Sequence, residues 1–120
     1  MRVFSLDGSW ERIGNGIIGE ENGDEFGYSV SLSRDGKTIA AGARYNGGNG
    51  VDSGQVRVYG LSLNTRGSWA QLGLDINGQA AGDESGTSVS LSADGKKVVI
   101  GSPKNDDKGL QSGQVRVFRW

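Results

Sequence analysis

The stretch SVSLSRDGKTIAAGA, Ser29 to Ala43, returns fifty-nine residues later as SVSLSADGKKVVIGS, Ser88 to Ser102. A chain of 120 residues that states one pattern twice is built from a repeating unit, and that unit decides the fold. Trp10–Tyr59 aligns without a gap onto Trp69–Phe118, and about half of the positions are identical. The length change lies before the aligned block. RVFSLDGSW, ending at Trp10, becomes RVYGLSLNTRGSW, ending at Trp69 and four residues longer. An insertion at that point marks a surface loop between two flanking strands.

Each repeat reads as four short strands. The first is GYSVSLS or GTSVSLS, in which Val30 and Leu32 alternate with serines at a period of two. Asp35-Gly36 and Asp94-Gly95 are then expected to supply the positive φ angles of a tight hairpin. The second strand, KTIAAGA or KKVVIGS, is apolar on successive positions, which predicts cover on both faces. QVRVY or QVRVF is the third strand, and SWERIG or SWAQLG the fourth. No segment keeps a helical period between good caps. The 22 glycines fall at the joints between apolar runs, as many turns between short strands require.

A four-stranded unit of this period, with its central strand covered on both faces, predicts an all-β chain of β-propeller blades. The small serines of the first strand suit the crowded region near a propeller axis. Residues 1–120 read as one segment: a partial blade over 1–14, a full blade over about 27–73 and an incomplete blade over about 86–120. Closure takes about four to eight blades. Either several copies close a ring, with SWERIG of one completing the last blade of the next, or the chain is part of a longer repeat protein. The second reading is preferred, because the third strand is written twice, at Arg2–Leu6 and Gln114–Phe118, for a single slot. On either reading the chain is expected to pack against copies of itself or against the rest of a longer protein.

EFGYSVSL, DGKTIAAGAR and SGQVRVY together resemble the FG-GAP repeat of integrin alpha-subunit propellers and related surface proteins. Phe26-Gly27 matches the FG, while Gly42-Ala43-Arg44 and Gly101-Ser102-Pro103 stand where that family has Gly-Ala-Pro. The resemblance implies a binding, adhesion or structural repeat module of an extracellular or cell-surface propeller protein; the alternative is a carbohydrate-binding two-blade chain that oligomerises into a propeller. Many blades of that family carry an Asp-x-Asp-x-Asp-Gly calcium loop between the first two strands. Here the position reads SRDGK or SADGK, with one carboxylate, whereas calcium takes six to eight oxygen ligands. No metal site and no cofactor are therefore expected.

Histidine and cysteine are both absent, which removes thiol nucleophiles, Ser-His-Asp chemistry, disulfides and the usual zinc sites. A net charge of −1 gives no field to gather nucleic acid, so no nucleic-acid partner is expected. No apolar run is long enough to insert in a membrane, and MRVFSLDGSW lacks the apolar centre of a signal peptide. Asp24-Glu25 are neighbours in sequence, whereas a glycosidase pair flanks its bond from two positions, so the chain is not expected to be an enzyme.

Antiparallel strands sort their connections onto two faces. One face receives the long loops NGIIGEENGDE, RYNGGNGVDS, DINGQAAGDES and PKNDDKGLQS. It collects Glu20, Glu21 and Asp75 with the candidate binding residues Asp24, Glu25, Asp52, Asp83, Glu84, Asp106 and Asp107, against Arg44, Lys104 and Lys108. The hairpin face holds Arg34, Lys37, Arg66, Lys96 and Lys97. The acidic face fits a protein or glycan partner. The recurrence of Gly-Asp-Glu in register more often reflects blade architecture than ligand binding, with carboxylates that cap backbone amides within each blade. Trp10 and Trp69 read as inter-blade packing, with sugar stacking as the alternative. Arg57 and Arg116 read as partners of carboxylates or as covers for apolar neighbours.

Overall fold

The computed structural model describes residues 1–62 and 67–120; Arg66 lies outside the described residues. Among the described residues nine strands follow one another: β1 Val3–Asp7, β2 Ser9–Ile13, β3 Ser29–Leu32, β4 Thr38–Ala43, β5 Gln55–Ser62, β6 Ser68–Asn77, β7 Ser88–Leu91, β8 Lys97–Ser102 and β9 Gln114–Arg119. Every pairing between them is antiparallel. They form three sheets in chain order, β1-β2, β3-β4-β5-β6 and β7-β8-β9. No helix occurs among the described residues. The chain is all-β, and each repeat folds as a propeller-blade sheet.

The sheets stack through two apolar seams. Val3 and Ile17 meet Ile39, Tyr59 and Trp69 at the first seam. Ala40 and Val56 meet Val98 and Ile100 at the second. Burial follows from this stacking. β4 lies between two neighbouring sheets, and all of it from Ile39 to Ala43 is buried. Its counterpart β8 alternates, with Val98 and Ile100 buried and Val99 39% exposed, because only one face of the third sheet is covered. The same lack of a neighbour leaves Trp10 68% exposed, whereas Trp69 is buried. The packing expected of the two tryptophans is realised at Trp69 alone.

The hairpins differ from expectation. Gly36 and Gly95 both have φ 73°, but Asp35 and Asp94 do not adopt positive φ. The loop holds four residues between Ser33 and Thr38, whose N–H and carbonyl bond at 2.9 Å. The Asp35 carboxylate accepts from the Ser33 hydroxyl at 2.8 Å and from the Lys37 amide at 2.9 Å. This side-chain turn holds the aspartate on the ordinary side of φ, and glycine alone supplies the left-handed residue. Ser92, Asp94 and Lys96 repeat the arrangement.

Backbone bonds join the second and third sheets at both ends of the seam. The Arg34 amide donates to Ala93 O at 3.0 Å in the hairpin loops. Glu84 and Ser85 amides donate to Asp52 O and Ser53 O at 2.9 and 3.0 Å in the long loops. Between them the Ser29 hydroxyl donates to Gly86 O at 2.6 Å, and the Leu91 amide to the Ser31 hydroxyl at 2.9 Å. The first-strand serines thus act as sheet-to-sheet connectors.

Candidate functional site

The long-loop face is assembled from the β4–β5 loop and the segments that enter β3 and β7. Asp24, 6% exposed, accepts from Asn46 Nδ2 at 2.8 Å. The second repeat makes the same buried bond, from Asn105 Nδ2 to Asp83 Oδ2 at 2.8 Å. Each asparagine then turns its oxygen to the loop: Asn46 Oδ1 accepts from Gly48 N at 2.8 Å, and Asn105 Oδ1 from Asp107 N at 3.1 Å. One Asp–Asn pair per repeat therefore clamps the loop entering the blade to the loop crossing its end.

The following glutamates sit in the left-handed region, at φ 56° for Glu25 and 53° for Glu84. That turn aims each side chain back at the β4–β5 or β8–β9 loop. Glu25 pairs with Arg44 Nε at 2.9 Å, and Glu84 with Lys104 Nζ at 2.8 Å. The Glu25 carboxylate holds the Arg44 guanidinium above its ordinary pKa, and Glu84 does the same for Lys104. Arg44 also stacks 3.7 Å over the Tyr28 ring and 4.5 Å over Tyr45.

The seven candidate residues thus part into two groups. Asp24, Asp83 and Glu84 are buried and bonded within the blade, and Asp52 is half-buried at φ 55° with its carbonyl bonded to Glu84 N. Glu25, Asp106 and Asp107 are exposed. Of these, Asp106 Oδ1 accepts from Gln111 N at 2.6 Å, and Asp107 Oδ2 from Gln114 Nε2 at 3.3 Å.

The structure gathers a different set around a polar cleft of about 320 Å³ on the same face. Glu20, Glu21, Asn46, Gln55, Asp75 and Asn77 line it, with Gly47 and Gly48. Arg57 is largely buried beneath, pairing with Glu20 and with Asp75 Oδ1 at 3.1 Å. Gln55 Nε2 reaches Asn77 Oδ1 at 3.0 Å and Asp75 Oδ2 at 3.3 Å. Arg57 is thus a partner of carboxylates. Its counterpart Arg116 donates to Asn77 O and the Ser85 hydroxyl at 2.9 and 3.1 Å, and burial lowers its pKa. Among the described residues no group of three or more His, Cys, Asp or Glu side chains is arranged to hold a metal ion.

Sequence reasoning passed over the clamp asparagines. Asn46 and Asn105 recur in register, 22 residues after Asp24 and Asp83, and that shared spacing was the available signal. The motif residues are structural too. Gly27, at φ 93°, donates to Gly42 O at 3.0 Å, and Phe26 meets Tyr59 edge to face at 6.3 Å in the first seam. The model of the FG-GAP repeat matches residues 19–59 and 77–118. The chain belongs to the FG-GAP repeat family. Its two FG-GAP repeats take in β3, β4 and most of β5, then β7, β8 and most of β9, each with the loop that leads in, so each match includes one Asp–Asn clamp while β6 lies almost wholly between them. No curated protein matches the chain.

Proposed function

We propose that this pair of FG-GAP repeats is a non-enzymatic binding module of a cell-surface or extracellular propeller protein, and that it meets a protein or glycan partner with its long-loop face. The observation that carries this reading is the division of carboxylates on that face. Asp24, Asp83 and Glu84 are buried and bonded within the blades, while Glu20, Glu21 and Asp75 are exposed along the amide-lined cleft and Asp106 and Asp107 are exposed on the β8–β9 loop. Rigid blades hold these groups, which limits the ordering cost when a partner docks. Catalysis is not part of the reading. Asp24 is bonded to Asn46 and Glu25 is paired with Arg44, and neither carboxylate of that neighbouring pair lines the polar cleft.

The test uses the chain and a Glu21→Gln/Asp106→Asn/Asp107→Asn variant on a glycan array and on an array of basic and neutral peptides. Capture on either array that the variant loses supports the reading. Absence of capture on both arrays, or capture unchanged in the variant, overturns it.

A further inference from the structure

The two seams are built from equivalent residues, but only one is filled. In the first, the Trp69 indole lies against Gly14, where a β-carbon would sit 3.0 Å from Trp69 Cδ1. Trp69 Nε1 donates to Ile13 O at 3.1 Å. Ile13 and Gly14 align with Leu72 and Gly73. Around that second pair lies a mainly apolar cleft of about 190 Å³, lined by Val58, Leu72, Ile76, Val98, Phe118 and Trp120. Trp120 leans over Gly73, where a β-carbon would lie 2.6 Å from Cζ3. It does not replace the missing indole, because Trp120 aligns with Leu61, the residue paired opposite Trp69 across the β5–β6 ladder. Among the described residues no strand pairs with the outer edge of β9.

The Gly-Ser-Trp that carries Trp69 is written once more as Gly8-Ser9-Trp10, with its indole on an uncovered face. We propose that the cleft receives Trp10 of a second copy, in a head-to-tail association where β9 of one protomer pairs with β2 of the next and replaces β1 there.

Register supports this occupant. β9 repeats β5, so the β5–β6 pairing carried over sets Trp10 opposite Trp120 and Glu11 opposite Arg119. The second is an opposite-charge pair across strands. Arg12 would face Phe118, just as it faces Phe4 in the single chain.

The faces match as well. Val115 and Val117 are 67% and 63% exposed and align with Val56 and Val58 of the second seam. Val30 and Leu32 are 53% and 49% exposed and align with Val89 and Leu91, which pack in that same seam. Docking covers both sets together, with Ile17 in the part of Ile76. β1 is the strand to yield, since Val3 is its one buried residue and Val117 aligns with it. Such a contact uses different surfaces on the two partners and generates a ring or a filament, not a two-fold dimer.

Sedimentation velocity on the full chain, across the micromolar range, tests the assembly. Oligomers that grow by mass action are expected. Trp10→Ala should leave circular dichroism unchanged and weaken association about 30-fold or more, the scale of a buried interface tryptophan. Val3→Ser loosens the competing β1 and should strengthen association. Glu11→Arg and Arg119→Glu should each weaken it, and mixing the two variants should restore it. A chain that stays monomeric overturns the proposal, as does association indifferent to Trp10→Ala. Weakening by Val3→Ser, in a variant that keeps its fold, overturns it equally.

Discussion

Asp83 and Asn105 share one buried hydrogen bond at 2.8 Å, and Asp24 and Asn46 share its duplicate at the same length in the first repeat. Asp83 is 2% exposed and Asn105 1%, so neither has water as a substitute partner. Asn105→Ala should therefore destabilise the chain by about 1–3 kcal/mol, the cost of leaving a buried polar group unmatched. Urea unfolding reads this as a lower midpoint at an unchanged slope. A shift within error of zero would mean that the clamp does not hold the loop.

Two glycines separate backbone strain from steric conflict. Gly82 and Gly86 have φ 80° and 90°, so alanine at either position is placed in the left-handed region. Around Gly82 a β-carbon meets nothing within 4 Å, while at Gly86 it would lie 2.8 Å from Gln55 O and 3.1 Å from Gly42 Cα. Gly82→Ala should cost about 1 kcal/mol, the strain alone. Gly86→Ala adds a clash with backbone of the neighbouring sheet and should lower the melting temperature by clearly more. Equal melting temperatures would contradict the packing described at that seam.

Stability should fall in acid through the hairpin aspartates. Asp35 is held below its ordinary 3.8 by the Lys37 amide and the Ser33 hydroxyl. Asp94 is held below 3.8 by the Ser92 hydroxyl and the Lys96 amide. A carboxyl whose folded pKa is depressed binds fewer protons folded than unfolded near that pH. Its contribution is present above 3.8 and is lost as pH falls through the lower folded value. Both groups are exposed, so the effect is small. The double variant Asp35→Asn/Asp94→Asn should flatten the acid limb of a melting-temperature profile below that pH and leave its neutral limb with the same slope.

Trp69 joins two sheets by a hydrogen bond and by apolar area, and the two can be told apart. Trp69→Phe removes the Nε1 bond to Ile13 O and should cost about 1 kcal/mol. Trp69→Ala also empties the seam and should cost about 3–5 kcal/mol. Denaturant titration checks both values, and a phenylalanine variant as unstable as the alanine one would assign the whole effect to the hydrogen bond.

What the residues disclosed in advance was whatever recurs locally. Strand positions, chain order and the all-β blade followed from alternation at Val30 and Leu32 and from the unbroken apolar run of β4. The hairpin was legible as a turn but not in its type, because the outcome depends on which acceptor wins the Lys37 amide. The site was harder to read. Asp24 and Asp106 look alike in sequence, being acids in glycine-rich loops. One is buried and the other solvated because a distant asparagine reaches only the first. The polar cleft was hidden for a related reason: Glu20, Arg57 and Asp75 come from separate segments that only sheet stacking brings together.

The seam between the second and third sheets is held at its ends by main-chain atoms: Arg34 to Ala93, Glu84 to Asp52, Ser85 to Ser53. Such bonds ask for a peptide group and not for a particular side chain. Glycine at 42 and 86, where the two backbones touch, is one of the few identities they impose. Neighbouring units can therefore diverge at half of their positions and still mate. A gene that duplicates, deletes or exchanges one unit keeps a working junction without having to re-evolve its partner.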